Sequence, residues 1–197
     1  MSNDRLRVAV IVGSTRVTRF ADTIVRWFSG QVEQRPDLMP DLIDLREIPL
    51  PTVLQSESLA GRNYVSPDVR ALAARLDVAD AFVIITPEYN HGYPAPLKLA
   101  IDSVSQEWKA KPVGFISYGG SSGGLRAVEQ LRTVFSELHT VTVRDTVSFH
   151  FARTQFDDDG EPRDPNRAST TAKRLLDELT WWARILHDAR TSTPYIW

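Results

Sequence analysis

Runs of five to seven mostly apolar residues alternate along this chain with segments whose apolar residues recur at helical spacing. That alternation is the pattern of a parallel sheet covered by helices on both faces. Residues 6–12, 81–86 and 112–118 are near-continuously apolar, as strands buried on both faces must be. Residues 38–45 read as a weaker strand nearer an edge, and a fifth strand lies within residues 141–151, rich in Val, Thr and Phe. Helices are expected over about 18–34, 67–78, 94–108, 125–138 and 168–189. The first carries Phe20, Ile24, Trp27, Phe28 and Val32 on one stripe. The fourth carries Leu125, Val128, Leu131, Phe135 and Leu138, and the last Leu175, Leu179, Trp182 and Leu186. The adjacent Trp181 and Trp182 point to different faces, which suits one for the core and the other for a partner subunit.

Five strands with five helices predict a flavodoxin-like three-layer sandwich, with a five-stranded parallel sheet of order 2-1-3-4-5, rather than the six-stranded dinucleotide fold. At 197 residues with 42% hydrophobic content and no break in composition, residues 1–197 read as a single domain. In that strand order the loops after strands one, three and four line the ligand crevice. Those are the segments of unusual composition.

The loop after strand one, Gly13-Ser14-Thr15-Arg16, has a single glycine, so it fails the dinucleotide fingerprint, and it lacks the Gly-Lys-Ser/Thr of a triphosphate loop. With Ser14, Arg16, Thr18 and Arg19 at the mouth of a helix, it suits a terminal monophosphate. A plain helix cap with arginines facing solvent fits the same residues. Nineteen of the 23 cationic residues are arginine, so only a cluster of them carries weight.

The loop after strand three, Pro87-Glu88-Tyr89-Asn90-His91-Gly92, offers an aromatic face, amide groups and a fixed proline. Glu88 suits either the ligand or a helix start, and His91 either a substrate or a backbone carbonyl. Ser117 and Tyr118 lead into Gly119-Gly120-Ser121-Ser122-Gly123-Gly124, whose glycines permit close approach to a flat ligand. A phosphate beside a planar polar ring describes a mononucleotide.

Other classes are excluded. The net charge of −2 provides no field for nucleic acid or an anionic membrane, and without cysteine there is no disulfide, thiolate nucleophile or Cys-ligated metal. Any redox work therefore needs a bound organic cofactor. No metal site is expected: the 157–160 Asp-Asp-Asp-Gly turn lacks alternating calcium ligands, and His139, His150 and His187 show no ligand spacing. The polar N-terminus and the absence of a stretch of roughly 20 apolar residues predict a cytoplasmic protein. The proline-punctuated segment 46–67 is long enough to be functional or mobile.

Taken together, Gly-Ser-Thr-Arg at 13–16, Pro-Glu-Tyr-Asn-His at 87–91 with Pro94-x-Pro96-Leu97-Lys98-x-x-Ile101-Asp102, and Ser-Tyr-Gly-Gly-x-x-Gly-Gly at 117–124 resemble the NAD(P)H-dependent FMN reductase family, with its quinone, azo-dye and chromate reductase relatives. The likeness runs from about Arg7 to Leu138. It implies non-covalent FMN, NAD(P)H as co-substrate, hydride transfer through the flavin to a small acceptor, and a homodimer or homotetramer. It implies Ser14, Arg16, Arg19 and Phe20 around the phosphate. Pro87, Glu88, Tyr89 and Asn90 would flank the ring, with Ser117, Tyr118, Gly119, Gly120 and Gly123 opposite. Tyr93, where many relatives have an aliphatic residue, is expected with His91 on the substrate side. Two other classes use the same fold: a flavodoxin-type electron carrier without turnover, and a flavin-binding regulatory protein.

Overall fold

The computed structural model describes residues 5–53 and 62–196. Five strands, β1 (Leu6–Val12), β2 (Leu38–Asp44), β3 (Ala81–Pro87), β4 (Pro112–Tyr118) and β5 (Val141–Phe149), form one all-parallel sheet of order 2-1-3-4-5. This is the flavodoxin-like arrangement that the alternation of elements predicts. The inner strands β3 and β4 are buried at every residue, whereas edge strands β2 and β5 mix buried and open positions. A near-continuous apolar run is tolerated only where helices cover both faces.

The described helices are α1 (Ala21–Glu33), α2 (Pro67–Asp77), α3 (Ala95–Asp102), α4 (Leu125–Glu137), the one-turn α5 (Ala152–Gln155) and α6 (Pro165–Ser192). On one face, α1 lays Ile24 and Phe28, and α6 lays Leu175 and Leu179, against Val10 of β1 and Val83 and Ile85 of β3. On the other, Leu72 of α2, Ile101 of α3 and Phe135 of α4 meet Ile11, Ile84 and Phe115. Each such fully buried side chain contributes roughly 1.5–3 kcal/mol, so these two layers hold the sheet and with it the loops at its C-terminal edge.

Local chemistry explains the boundaries. Ser66 accepts from Val69 N and Pro67 occupies the first turn of α2; Asp164 accepts from Arg167 N and Pro165 does the same for α6. Helix α1 starts at Ala21 rather than at residue 18, because Arg19 turns back to the carbonyl of Ser14 (2.6 Å) and folds residues 14–20 into a loop. Helix α3 stops at Asp102, not 108: Ser103 bonds Leu99 O through both its amide and its hydroxyl, and a separate turn at Gln106–Trp108 follows. Helix α5 has no counterpart in the sequence expectations. Within the apolar stripes, Val128, Leu131 and Phe135 are buried but Leu125 is exposed, and Trp182 packs on the core while Trp181 faces out. Of the long segment 46–67, residues 54–61 lie outside the described residues.

Candidate active site

The loops after β1 and β3 meet at the switch point. Gly13 N donates to Ile85 O (2.9 Å), which fastens the end of β1 to β3. Beyond it, the Ser14 hydroxyl and the Tyr89 phenol share a hydrogen bond of 2.7 Å. The Arg16 guanidinium lies 3.7 Å from the centre of the Tyr89 ring. Ser14 is fully buried, so its hydroxyl aligns the two loops instead of facing the open crevice.

Arg19 is committed in the same way. Its side chain is 3% exposed, donates to both oxygens of Asp44 (2.7 and 2.5 Å) and pairs with Asp22 (2.7 Å). Hydrogen bonding to Asp44 raises its pKa further above the ordinary arginine range. Burial pushes the Asp44 carboxyl upward, but the bonds from Arg19 and Arg46 outweigh it and hold it below the usual carboxylate range. Arg16 and Thr18 are exposed and, among the described residues, carry no such commitment to carboxylates.

Residues 89–92 close into a tight hairpin turn: Tyr89 N donates to Gly92 O (2.8 Å) and Gly92 N to Tyr89 O (3.1 Å). Asn90 and His91 both have positive φ, 50° and 74°, the signature of a type I′ turn. Gln130 of α4 secures this turn by donating to His91 O (2.9 Å). Glu88, 7% exposed at its side chain, accepts from Arg126 N (3.2 Å) and from the Arg126 guanidinium (3.0 Å) at the start of α4. Desolvation raises its pKa, yet the bonds from Ser122 and Arg126 prevail and the carboxyl stays below its ordinary value. Glu88 is thus a helix-start acceptor that ties the β3 loop to the β4 loop.

The glycine loop is folded back on the sheet. Gly124 has φ 86°, and a Cβ there would fall 2.7 Å from Ser117 Cβ. Ser117 and Ser148 both donate to Gly123 O (2.8 and 2.9 Å). Tyr118 points the other way. Among the described residues its buried hydroxyl has no partner at hydrogen-bond geometry, and desolvation, followed by the neighbouring Tyr89, drives its pKa well up against the opposing influence of nearby Ser14.

These loops enclose a cleft of about 430 Å³. Of the residues expected at the ligand, Arg16, Thr18, Arg19, Phe20, Pro87, Glu88, Tyr89, Tyr118, Gly119 and Gly120 line it. Ser14, Asn90, Ser117 and Gly123 do not. Ser117 and Gly123 lie behind the loop, where their bonds shape it. His91 and Tyr93 are also absent from the walls, and Tyr93 packs on the second core layer. A fourth wall, Phe151 to Thr154, escaped the sequence reading: Phe151 N and Ala152 N donate to Gly120 O (2.7 Å) and Gly119 O (3.0 Å), and the Arg153 guanidinium sits 5.6 Å from the Phe20 ring centre. Its signal was positional. In a 2-1-3-4-5 sheet the loop after β5 adjoins the loop after β4.

Residues 6–154 match the NADPH-dependent FMN reductase family. The chain belongs to this family. The match extends past Leu138 and includes the fourth wall. An NAD(P)H-dependent FMN reductase of Schizosaccharomyces pombe is 35% identical over 121 residues, 60% of each chain. A probable NADPH:quinone oxidoreductase of Oryza sativa is 33% identical over 162 residues, 79% of this chain and 81% of the relative. Among solved structures, the flavoenzyme NAD(P)H:(acceptor) oxidoreductase FerB of Paracoccus denitrificans superposes with a TM-score of 0.72 at 24% identity, covering 91% of this chain and 98% of that one.

The residues of this family member fit FMN. The cleft offers an orphaned phenol to a polar ligand atom, aromatic surface from Phe20, Tyr89 and Phe151, and two exposed guanidinium groups, Arg16 and Arg153, for a phosphate. Its size lies within the usual range for small-molecule sites, about 300–1,000 Å³.

Proposed function

We propose that residues 1–197 act as one FMN-binding domain whose cleft carries NAD(P)H-dependent reduction of a small acceptor such as free flavin, a quinone, an azo compound or a metal oxyanion. The observation that carries this reading is a cleft of about 430 Å³ walled by the family's motifs, with the buried Tyr118 hydroxyl among its lining. When bound, FMN supplies the two-electron chemistry, receiving a hydride from reduced nicotinamide and returning the electrons to the acceptor.

The chain's own residues bind, orient and exclude water. Arg16 and Thr18 hold the phosphate, with Phe20 covering it. Pro87, Glu88 and Tyr89 form one side of the ring site, with Asn90 shaping the turn that carries Tyr89, and Tyr118, Gly119 and Gly120 form the other. Ser14 and Arg19 act from behind: the first aligns Tyr89, and the second fixes the β1 loop through Asp44. Ser117 and Gly123 shape the glycine loop. His91 and Tyr93 influence acceptor access through the turn and its packing. Positioning of this kind, without a protein acid or base, suffices for hydride transfer.

The same reading places the protein in the cytoplasm as a homodimer or homotetramer. The exposed Phe151 at the rim of the cleft favours association there. None of the described helices is long and apolar enough to cross a membrane.

The test is direct. Purified protein should be yellow, release a chromophore with the mass of FMN, and oxidise NAD(P)H when a quinone or free flavin is added. Colourless protein that takes up no added FMN would overturn the reading. FMN binding without any NAD(P)H oxidation would instead favour an electron carrier.

A further inference from the structure

The wall that follows β5 carries a side chain the fold does not use. Phe151 has φ 46° and ψ 49°, the left-handed region that glycine and asparagine visit and a bulky aromatic residue rarely does. Its backbone is locked there. The amide donates to Gly120 O (2.7 Å), and the carbonyl accepts from both the amide (2.8 Å) and the hydroxyl (2.9 Å) of Thr154. One residue earlier, His150 Nδ1 donates to Ser121 O (2.8 Å) and the Gln155 amide donates to His150 O. None of these bonds uses the Phe151 side chain, so glycine at this position would keep them and shed the strain.

Nor does the core claim the ring. Phe151 is 59% exposed and lines the cleft, whereas Phe149 and Phe156, its neighbours along the chain, are buried with ring centres 4.9 Å apart. The cleft's other aromatic residues are engaged as well. Phe20 packs against Tyr118 (6.1 Å) and Phe156 (5.4 Å), and Tyr89 gives its hydroxyl to Ser14 and its face to Arg16. Among the described residues, the Phe151 ring meets no other aromatic ring and no cation. His91 and Tyr93, expected on the substrate side, are absent from the walls. An outlying backbone conformation and an apolar ring in water are both unfavourable, and such a residue points to a role in binding. A flat, uncommitted ring is suited to stacking on another flat ring.

We propose that Phe151 is a specificity-determining residue of the cleft: its ring stacks on the acceptor and favours flat aromatic acceptors over compact ones such as metal oxyanions. The proposal rests on the flavoenzyme reading above and narrows its substrate class. Phe151 stands outside the three loop motifs, in the wall that the far edge of the sheet contributes.

Calorimetric titration of the FMN-loaded protein with 2-naphthol and with 2-decalol, its saturated counterpart, reads the site without turnover. The parent should prefer 2-naphthol, and Phe151→Ala should cut that preference about fivefold, the usual worth of one aromatic pair. Phe151→Tyr should retain it. Phe151→Gly should lose the preference while melting higher than the parent, which separates the side chain's role from any fault in folding. In steady state, the ratio of kcat/KM for a naphthoquinone to that for ferricyanide should fall about fivefold in Phe151→Ala. An unmoved preference in both the Ala and Gly variants overturns the proposal. So does FMN affinity that falls as far as 2-naphthol affinity, which would give the ring to the flavin. A changed sedimentation coefficient with the preference intact would give it to a second copy of the chain and overturns the proposal too. A yellow, active protein indifferent to planarity sinks this inference alone, whereas a protein that binds no FMN sinks both readings.

Discussion

Arg16 and Arg19 stand three residues apart and carry opposite consequences. Arg19 is buried and paired with Asp44, so Arg19→Ala leaves a carboxylate without its partner and should cost about 3 kcal/mol in urea denaturation. Arg16 is exposed over the Tyr89 ring, a contact of about 0.5–1 kcal/mol, so Arg16→Ala should barely move stability. Fluorescence titration should nevertheless show FMN affinity falling about tenfold, because a charge-assisted bond to phosphate is of order 1.5–3 kcal/mol. Tyr118→Phe removes a hydroxyl that has no partner at hydrogen-bond geometry among the described residues, so the melting temperature of the FMN-free protein should hold or rise slightly while FMN binds more weakly. A variant that binds FMN as tightly as the parent would remove Tyr118 from the ligand's contacts. The carboxylates set the acid limit. Glu88 and Asp44 both have folded pKa values depressed below their ordinary ones, so their stabilisation is fully present above about pH 4 and is lost as pH falls through the lowered values. Glu88→Gln should flatten part of that acid-side decline in a pH series of melting temperatures.

Elements at the C-terminal edge of the sheet are held by backbone conformations that few residues adopt. Gly124 is the clearest case: Gly124→Ala forces a Cβ against Ser117 at positive φ, which should cost roughly 1–3 kcal/mol and displace the wall that carries Tyr118. Lower urea midpoint together with weaker FMN binding is the expected result. The 89–92 turn offers the reverse. His91 occupies a type I′ position that glycine prefers, so His91→Gly should stabilise the protein by about 0.5–1 kcal/mol, with little effect on the cleft that His91 does not line. The limits of legibility at this scale are equally specific. Strands β1 and β4 were legible to the residue because a run buried on both faces is a local pattern. The start of α1 and the end of α3 were not, since Arg19 and Ser103 rewrite those ends through bonds that apolar spacing does not encode. Helix α5 is a single turn, too short for any helical period to register.

For the molecule as a whole, FMN belongs to the stability of the folded state as well as to its chemistry. A ligand at a hundred times its Kd that binds only the native form stabilises it by about 2.7 kcal/mol, so thermal unfolding should shift upward with added FMN and show no such shift with riboflavin at equal concentration if the phosphate is the anchor. Sequence alone determined the five strands, their 2-1-3-4-5 order and the three loops that meet at the switch point, because each follows from residues adjacent in the chain and from the few topologies that alternating strands and helices permit. Tertiary structure alone decided which polar groups those loops still offer. Ser14 is taken by Tyr89, 75 residues away, Arg19 by Asp44, 25 away, and Ser117 by the loop's own carbonyl, while Phe151 to Thr154 arrive as a wall from the far edge of the sheet. A hydrogen-bonding group's availability depends on what folds against it, and that partner is set by distance in space, which spacing along the chain does not record.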